Sequence, residues 1–255
     1  MICGVLLDLS GVLYVGKAPI AGALDALERL ARLQVPVRFI TNTSRKTRRQ
    51  VVEQLTGMGF TVNPEHVFTC VTAARDYLME RRLSPELLVH PNVLTEFDQL
   101  PRGGGTAVVM GDAAQGFNYD SLNRVFRKLM ENPDTPLIAM GYNRYFREAD
   151  GLSLDLGPFV KALEFASGKT ATITGKPAAT FFHRACASMH CKPHETLMIG
   201  DDVVSDIEGA MKAGLRGCLV RTGKYRAGDE HSIEPPPDYV ADDISSAVEW
   251  LLGQN

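Results

Sequence analysis

The chain has 255 residues, of which 45% are hydrophobic and 22% charged, and its formal net charge at pH 7 is −3. This composition is that of a globular protein with a sizeable core, in one large domain or two smaller ones. The small net charge argues against a nucleic-acid-binding protein, and the absence of any run of about 18 apolar residues argues against a membrane-spanning helix.

The N-terminal residues and the cysteines both favour a cytoplasmic protein. The first residues lead straight into an apolar segment, without the basic and cleavable stretch of a secretory signal. The five cysteines form no C-x-x-C pair and show no metal-binding spacing, so we expect reduced, mostly buried thiols. They are Cys3, Cys70, Cys186, Cys191 and Cys218.

The first apolar segment ends at a carboxylate. Val5–Leu7 is a short apolar run, and Asp8, Ser10 and Gly11 follow it. The pattern predicts a buried strand with Asp8 at its carboxyl end, which is the edge where open α/β sheets bind ligands. An aspartate at that position can be a nucleophile, a metal ligand or a turn cap.

A second strand follows with the same kind of ending. Leucines at helical spacing predict a helix over Ile20–Leu33, and the apolar run Val35–Ile40 predicts a strand. That strand runs into Thr41-Asn42-Thr43-Ser44, and a further helix is predicted around Val51–Met58. The alternation of strands and helices predicts a parallel sheet with right-handed crossovers.

The middle of the chain carries its own α/β pattern, from about Leu83 to Gly168. Strands are predicted at Leu87–His90, Thr106–Met110 and Pro136–Met140, and a helix at Leu122–Met130. Just before this stretch, Val67–Arg82 reads as a helix or as a short strand followed by a helix.

Two later strands also end in charged residues. A short strand at Ala171–Thr174 precedes Gly175-Lys176-Pro177. A strand at Leu197–Ile199 precedes Gly200-Asp201-Asp202, and Asp206 follows. In a doubly wound sheet, the ends of the four strands can converge at one edge.

The side chains at these four strand ends suit phosphoryl transfer. Asp8 can attack phosphorus, and Asp8 with Asp201 can supply the oxygen ligands that Mg²⁺ prefers. Lys176 would screen negative charge, and the Thr41 hydroxyl with nearby amides would hold the phosphoryl oxygens. Asp206 would orient Lys176 or a metal-bound water.

At these residues the chain resembles the haloacid dehalogenase (HAD) superfamily of phosphohydrolases. The four family motifs occur in order as Asp8-Leu9-Ser10-Gly11-Val12, Thr41, Gly175-Lys176-Pro177 and Gly200-Asp201 through Asp206. The resemblance covers the whole chain and implies an α/β fold, with a Rossmann-like doubly wound parallel sheet as core and an inserted α/β cap of the C2 type. The core is expected over 1–82 and 169–255 and the cap over 83–168.

The resemblance also implies a Mg²⁺-dependent phosphatase that forms an aspartyl-phosphate on Asp8. The catalytic residues implied are Asp8, Lys176 and Thr41, and those that contact substrate are Asp8, Ser10, Thr41, Asn42, Thr43 and Lys176. The metal ligands implied are Asp8, the Ser10 backbone carbonyl and Asp201, with Asp202 and Asp206 as supporting groups. A small phosphorylated substrate is expected, with no nucleic-acid or membrane partner. A homodimer is expected because C2-capped relatives often dimerise.

Ser10 departs from the family's pattern. The family usually has an aspartate there as general acid and base, and a hydroxyl is not acidic enough near neutral pH to replace it. General acid–base help is typically worth about 10²–10⁴-fold. We therefore expect slow turnover of alkyl phosphates and a preference for better leaving groups, namely aryl phosphates, pyrophosphate, acyl phosphates and P–N bonds.

Within the expected cap, one polar loop could either line the substrate site or be exposed. Its side chains are Asn143, Arg144, Tyr145 and Arg147.

Three alternative functions have weaker support. A catalytically weak protein that binds phosphorylated ligands is favoured by Ser10 alone. A phosphomutase normally needs the acid that Ser10 replaces. Ser167-Gly168-Lys169-Thr170 resembles the end of a nucleotide-binding P-loop, but Leu163 stands where that loop needs a glycine.

Overall fold

The computed structural model describes residues 2–100, 103–148 and 151–253. The chain divides into two compact units. The first unit comprises Met1–Thr41, Gln50–Phe68 and Lys176–Asn255, and the second comprises Asn42–Arg49 and Thr69–Gly175.

The strands and helices alternate along most of the chain. The strands are β1 (Gly4–Asp8), β2 (Tyr14–Val15), β3 (Ala18–Pro19), β4 (Val37–Thr41), β5 (Val67–Thr69), β6 (Ser84–Leu88), β7 (Thr106–Met110), β8 (Leu137–Ala139), β9 (Tyr145–Glu148), β10 (Gly151–Leu154), β11 (Thr172–Ile173), β12 (Thr196–Gly200), β13 (Arg216–Val220) and β14 (Tyr239–Ala241). The helices are α1 (Ala23–Arg32), α2 (Arg48–Gly57), α3 (Cys70–Arg81), α4 (Tyr119–Glu131), α5 (Leu156–Ser167), α6 (Ala179–Ala187), α7 (Gly209–Lys212) and α8 (Ile244–Leu252). A π-helical turn, Val203–Glu208, precedes α7.

The first unit is built on a sheet with the strand order β14-β13-β12-β1-β4-β5. Strand β1 pairs in parallel with both β12 and β4 and is buried along its whole length. Val5 and Leu7 pack in one core cluster with residues of α1 and α8. Leu6, equally buried, points to the opposite face because successive side chains of a strand alternate. The predicted α/β fold with a Rossmann-like parallel sheet is confirmed.

The second unit has its own parallel sheet, with the strand order β11-β8-β7-β6. Its core combines these strands with buried residues of α3, α4 and α5. The antiparallel hairpin β9–β10 is an element that the sequence pattern did not predict. Strand β11 belongs to this sheet, so the expectation that the strand before Lys176 lies in the core sheet is wrong. The reason is register: Thr172 and Ile173 pair with Ile138 and Ala139 of β8.

The bounds of the second unit differ from the 83–168 expected for a cap. Helix α3 belongs to the second unit because its buried residues Cys70, Ala74 and Leu78 pack in that unit's core. The residues just before it form the short strand β5, so the second alternative for 67–82, strand then helix, is the one observed. Thr69 caps α3 by accepting a hydrogen bond from the Thr72 amide at 3.1 Å.

The expectation of reduced cysteines is wrong for two of the five. Cys3 and Cys191 form a disulfide across a sequence separation of 188 residues, while Cys70, Cys186 and Cys218 are free and buried. The bridge forms because β1 and β12 pair from their first residues, which brings the segments before them together. The Cys3 amide also donates to the Glu195 carbonyl at 2.6 Å. Among the described residues, no helix has the length and apolar character that crossing a membrane requires.

Candidate active site

Three of the predicted site residues lie at the carboxyl edge of the first unit's sheet. Asp8 is the last residue of β1, and Thr41 is the last residue of the neighbouring β4. Asp201 follows Gly200, the last residue of β12, on the other side of β1. All three side chains are buried. They meet because parallel strands end at the same edge of a sheet.

Lys176 joins this edge through two ion pairs. Its Nζ lies 2.5 Å from Asp8 Oδ1 and 2.6 Å from Asp206 Oδ1. Burial alone would lower the pKa of Lys176, but the charges of Asp206 and Asp8 outweigh it and raise that pKa. Lys176 is therefore a permanent buried cation.

The carboxylates of the edge repel one another. Burial, with the nearby charges of Asp8 and Asp206, raises the pKa of Asp201 well above its usual range. Burial also raises the pKa of Asp206 to about 6, although Lys176 acts in the opposite direction. These carboxylates lack sufficient positive charge, and a divalent cation would supply it.

Asp8, Asp201 and Asp206 could together hold such an ion. Each offers one carboxylate oxygen, and these oxygens all lie within 4.8 Å of one another. An all-oxygen set of this kind fits Mg²⁺, which prefers carboxylates and keeps several waters. The sequence pattern predicted Asp8 and Asp201 as ligands but treated Asp206 as a supporting group. Ser10, whose carbonyl was the third ligand expected, lies two residues beyond Asp8 and is exposed.

Asp202 organises the turn that carries Asp206. Its Oδ1 accepts hydrogen bonds from the amides of Val204 at 3.2 Å and Ser205 at 3.0 Å. Burial opposes the ionised form of Asp202, but Lys224 and the Ser205 amide lower its pKa overall. In return, the Asp202 amide donates to Asp206 Oδ2 at 3.2 Å. This capped turn fixes the position of Asp206 within the cluster.

The loop after β13 was missed as part of the site. The Lys224 amide donates to Asp201 Oδ2 at 2.7 Å, and the Thr222 hydroxyl donates to the Gly11 carbonyl. Gly11 and Gly223 have φ values of 94° and 60°, and a Cβ on either would overlap the Asp201 carboxylate. The signal in the sequence was Thr222-Gly223-Lys224 one residue after the apolar run Gly217–Val220, because such a position again falls at the carboxyl edge.

Two of the predicted substrate-binding residues, Asn42 and Thr43, belong to the second unit. The Asn42 amide lies beside Gly141 and Gly175, whose missing side chains leave room for it. The same segment continues to Arg45, whose Nε lies 2.6 Å from Asp112 Oδ2. The second unit therefore holds this segment by its own polar contacts.

The polar loop that could either line the substrate site or be exposed is partly strand. Tyr145 opens β9 and is 41% exposed, and the Asn143 carbonyl accepts the Gly157 amide at 2.9 Å. Arg144 is exposed. The side chain of Arg147 lies outside the described residues.

Two family matches cover the segments that carry the predicted site residues. The family described as Haloacid dehalogenase-like hydrolase matches residues 5–100, which include Asp8 and Thr41. A second family, described as HAD-hydrolase-like, matches residues 173–247, which include Lys176 and Asp201. Both families are haloacid dehalogenase-like hydrolases by description, so the two matches agree.

Relatives extend the likeness over the whole chain. Phospholysine phosphohistidine inorganic pyrophosphate phosphatase from Rattus norvegicus is 44% identical over 98% of this chain and 94% of its own length. Haloacid dehalogenase-like hydrolase domain-containing protein 2 from Bos taurus is 43% identical over 97% and 95%. The chain therefore belongs to the haloacid dehalogenase-like hydrolases, and the prediction of a HAD-like phosphatase is confirmed.

A solved structure supports the same fold. Glycerol phosphate phosphatase from Mycobacterium tuberculosis, in complex with magnesium, has a TM-score of 0.84 at 25% identity. The match covers 96% of this chain and 76% of that one. Phosphatases of this family usually use Mg²⁺, in keeping with the buried aspartate cluster.

Proposed function

We propose that the protein is a Mg²⁺-dependent phosphohydrolase that acts on small phosphorylated compounds through an aspartyl-phosphate on Asp8. The observation that carries the proposal is the buried cluster in which Asp8 pairs with Lys176 at 2.5 Å and lies beside Asp201 and Asp206. The Asp8 carboxylate stands at the end of a buried strand against the Lys176 ammonium, and an aspartate carboxylate is a group that can attack phosphorus.

The reaction proceeds in two displacements. First, an Asp8 carboxylate oxygen forms a bond to phosphorus, and the bond from phosphorus to the leaving group breaks, with its electron pair passing to that group. Next, a water oxygen attacks the same phosphorus and loses a proton to solvent. The bond to Asp8 then breaks, which restores the carboxylate and releases inorganic phosphate.

The metal ion and Lys176 would both neutralise negative charge on the phosphoryl group. Of the three aspartates whose oxygens lie together, Asp8 and Asp201 would hold Mg²⁺ with the Ser10 carbonyl, while Asp206 is engaged by its ion pair with Lys176. The ion neutralises phosphoryl charge when bound. Asp206 holds Lys176 in place, and Lys176 neutralises further charge on the reacting group. The supporting distances are those from Lys176 Nζ to its two carboxylates.

Thr41, Asn42 and Thr43 are the proposed phosphoryl-binding residues. Thr41 is buried at the end of β4, the strand that pairs with β1 along Asp8. Hydroxyl, amide and backbone donors at such a strand end suit the equatorial oxygens, over which charge spreads in phosphoryl transfer.

We propose that the substrates have good leaving groups. Ser10 is exposed at the position where an acid would protonate the departing oxygen, and its hydroxyl cannot do so near neutral pH. The leaving groups of aryl phosphates, pyrophosphate and acyl phosphates need little protonation. In P–N compounds the departing nitrogen already carries a proton. The 44% identical relative named for pyrophosphate, phospholysine and phosphohistidine supports this substrate class.

The test is Ser10→Asp assayed on 4-nitrophenyl phosphate and on an alkyl phosphate. We expect the variant to gain at least about 10-fold in kcat/KM on the alkyl ester and little on the aryl ester. Ser232→Asp, an exposed serine in a polar loop, is the control for added charge. No gain on the alkyl ester would show that leaving-group protonation does not limit turnover.

The runner-up function is a catalytically weak protein that binds phosphorylated ligands. Ser10 favours it, and the complete set of Asp8, Lys176 and Asp201 opposes it. Phosphate release by wild type and Asp8→Asn on a panel of phosphates separates the two. Equal, near-zero rates with retained ligand binding would favour the binding protein.

We also propose that the protein forms a homodimer through the hairpin β9–β10. Tyr145 and Leu154 lie opposite each other, Leu152 shares their face, and all three are exposed. A second copy would cover this apolar face. Light scattering on wild type and Leu152→Asp tests the dimer, and the same molar mass for both proteins would contradict it.

Cytoplasmic localisation stays a prediction that cell fractionation can test.

A further inference from the structure

The loop after β13 contacts two of the site's aspartates. The Lys224 backbone amide donates to Asp201 Oδ2 at 2.7 Å. The Lys224 ammonium lies 3.0 Å from Asp202 Oδ2. One residue of this loop therefore touches both carboxylates of the Gly-Asp-Asp segment, with its main chain and with its side chain.

The Asp201 carboxylate is enclosed by backbone on two sides. Gly11 and Gly223 both lie so close that a Cβ on either would overlap that carboxylate. The Thr222 hydroxyl donates to the Gly11 carbonyl, which ties the two glycine segments together. The orientation of Asp201 thus depends on where the loop Thr222–Lys224 is held.

The Lys224–Asp202 pair is the ionic contact that adds to these hydrogen bonds in holding the loop on the site. Asp202 is itself fixed, because its Oδ1 caps the turn Val203–Glu208 through the amides of Val204 and Ser205. Its Oδ2 accepts Lys224. The same turn carries Asp206, so the loop and two members of the acidic cluster share one hydrogen-bonded frame.

We infer that Lys224 is a positioning residue, which holds the loop Thr222–Lys224 on Asp202 and thereby orients Asp201 for divalent-cation binding. The inference rests on the metal site of the proposed function, not on the course of the reaction. A ligand held in its bound orientation loses less freedom on binding, and groups that orient metal ligands typically contribute about 10- to 100-fold to metal affinity.

An alternative role for Lys224 predicts the opposite effect on Mg²⁺ affinity. Its side chain is 50% exposed, and a cation near the cluster could only repel a bound metal ion. If repulsion dominated, removing the charge would tighten Mg²⁺ binding. If positioning dominates, removing it weakens binding even though a repulsive charge is lost.

The experiment is Mg²⁺ titration by calorimetry of the full chain, with wild type, Lys224→Met, Asp202→Asn and the double variant. Asparagine at 202 keeps the helix-cap function but not the charge that pairs with Lys224. We expect each single variant to raise the Kd for Mg²⁺ about 10-fold. The double variant should be no weaker than the singles, because both changes break the same pair.

Three further measurements control the result. Lys212→Met removes an exposed lysine paired with Glu208 at 2.7 Å, and it should leave the Kd unchanged. Lys224→Arg should restore most of the affinity, because a guanidinium can also pair with Asp202. At saturating Mg²⁺, kcat of Lys224→Met should return to within about 2-fold of wild type, since positioning acts on metal affinity.

Two outcomes would overturn the inference, and a third would contradict the proposed function as well. An unchanged or lower Kd in Lys224→Met, with wild type binding Mg²⁺ normally, would refute positioning and leave the proposed function intact. Strictly additive losses in the double variant would show that Lys224 and Asp202 act separately. Absence of Mg²⁺ binding by wild type, in calorimetry and as a shift in melting temperature, would contradict the proposed function itself.

Discussion

The ammonium of Lys176 lies 2.5 Å from Oδ1 of Asp8, and both side chains are less than a tenth exposed. Asp8 ends β1, whereas Lys176 is the residue at which the chain enters the first unit again after Gly175. The pair therefore joins two sequence segments that lie 168 positions apart. Because the second ion pair of Lys176 is with Asp206, the two carboxylates share one cation.

Removing that cation should destabilise the fold. In Lys176→Met, Asp8 and Asp206 would stay buried without a positive partner. Breaking a buried ion pair in this way typically costs about 3–5 kcal/mol. Urea unfolding in the presence of a chelator measures the loss, and Lys212→Met, which removes an exposed lysine, should change the unfolding free energy by less than about 0.5 kcal/mol. A loss below about 1 kcal/mol for Lys176→Met would mean that the carboxylates take up protons at little cost.

Removing the proposed nucleophile should abolish turnover while leaving the fold intact. In Asp8→Asn, Lys176 keeps Asp206 as its partner, so the stability loss should be smaller than that of Lys176→Met. We expect kcat for phosphate release to fall at least about 10³-fold, as is usual when the attacking group is lost. Activity above a tenth of wild type would contradict the role of Asp8.

Gly11→Ala should weaken metal binding through overlap with Asp201. Gly11 has φ of 94°, and a Cβ there would meet the Asp201 carboxylate. Gly228 is a matched control, since its φ is 96° and a Cβ there meets nothing within 4 Å. Both variants carry a backbone cost of about 1 kcal/mol, measured by urea unfolding. Only Gly11→Ala should also raise the Mg²⁺ Kd, by at least about 10-fold. Equal Kd values in the two variants would exclude the overlap as a cause.

The stability of the metal-free protein should fall as pH rises through about 6. Burial and the charges of Asp8 and Asp202 raise the pKa of Asp206 from 3.8 to about 6. Between these values the folded state binds more protons than the unfolded state, so stability is greatest below pH 3.8 and is lost through pH 6. The loss should be on the order of 1–3 kcal/mol relative to Asp206→Asn.

Urea unfolding at pH 4.5 and pH 7 with a chelator tests this pH dependence. Added Mg²⁺ should recover stability at pH 7, because it neutralises the ionised cluster and binds only the folded state. A wild type that gained stability over this interval relative to Asp206→Asn would show that the ion pair with Lys176 outweighs the effect of burial.

The disulfide between Cys3 and Cys191 should contribute to stability without entering the chemistry. It joins the segments that precede β1 and β12, whose opposite ends carry Asp8 and Asp201. A cross-link over 188 residues restricts the unfolded chain, with a typical effect of about 2–4 kcal/mol. Cys3→Ser and reduced wild type should lose the same amount, and reductant should not affect Cys3→Ser. Reductant sensitivity in Cys3→Ser would locate the effect elsewhere.

Much of the site could be predicted from the sequence, because each residue concerned follows its strand directly. Asp8, Thr41 and Asp201 come at the end of apolar runs, and parallel strands place such ends at one edge. Local pattern therefore determined the α/β class and most of the residues that gather at that edge. The resemblance to the family also identified Ser10 as a departure, since the type of residue at a motif position needs no structure to read.

Only the tertiary structure decided which elements share a sheet and which groups meet across loops. The strand before Lys176 is followed by a charged residue, as are the strands before Asp8 and Asp201, but hydrogen-bond register assigns β11 to the second sheet. The Cys3–Cys191 bridge and the contacts of Lys224 with Asp201 and Asp202 join segments far apart in the chain. Spacing and periodicity report only on neighbours along the chain, whereas pairing between distant segments is selected by the packing of the whole domain.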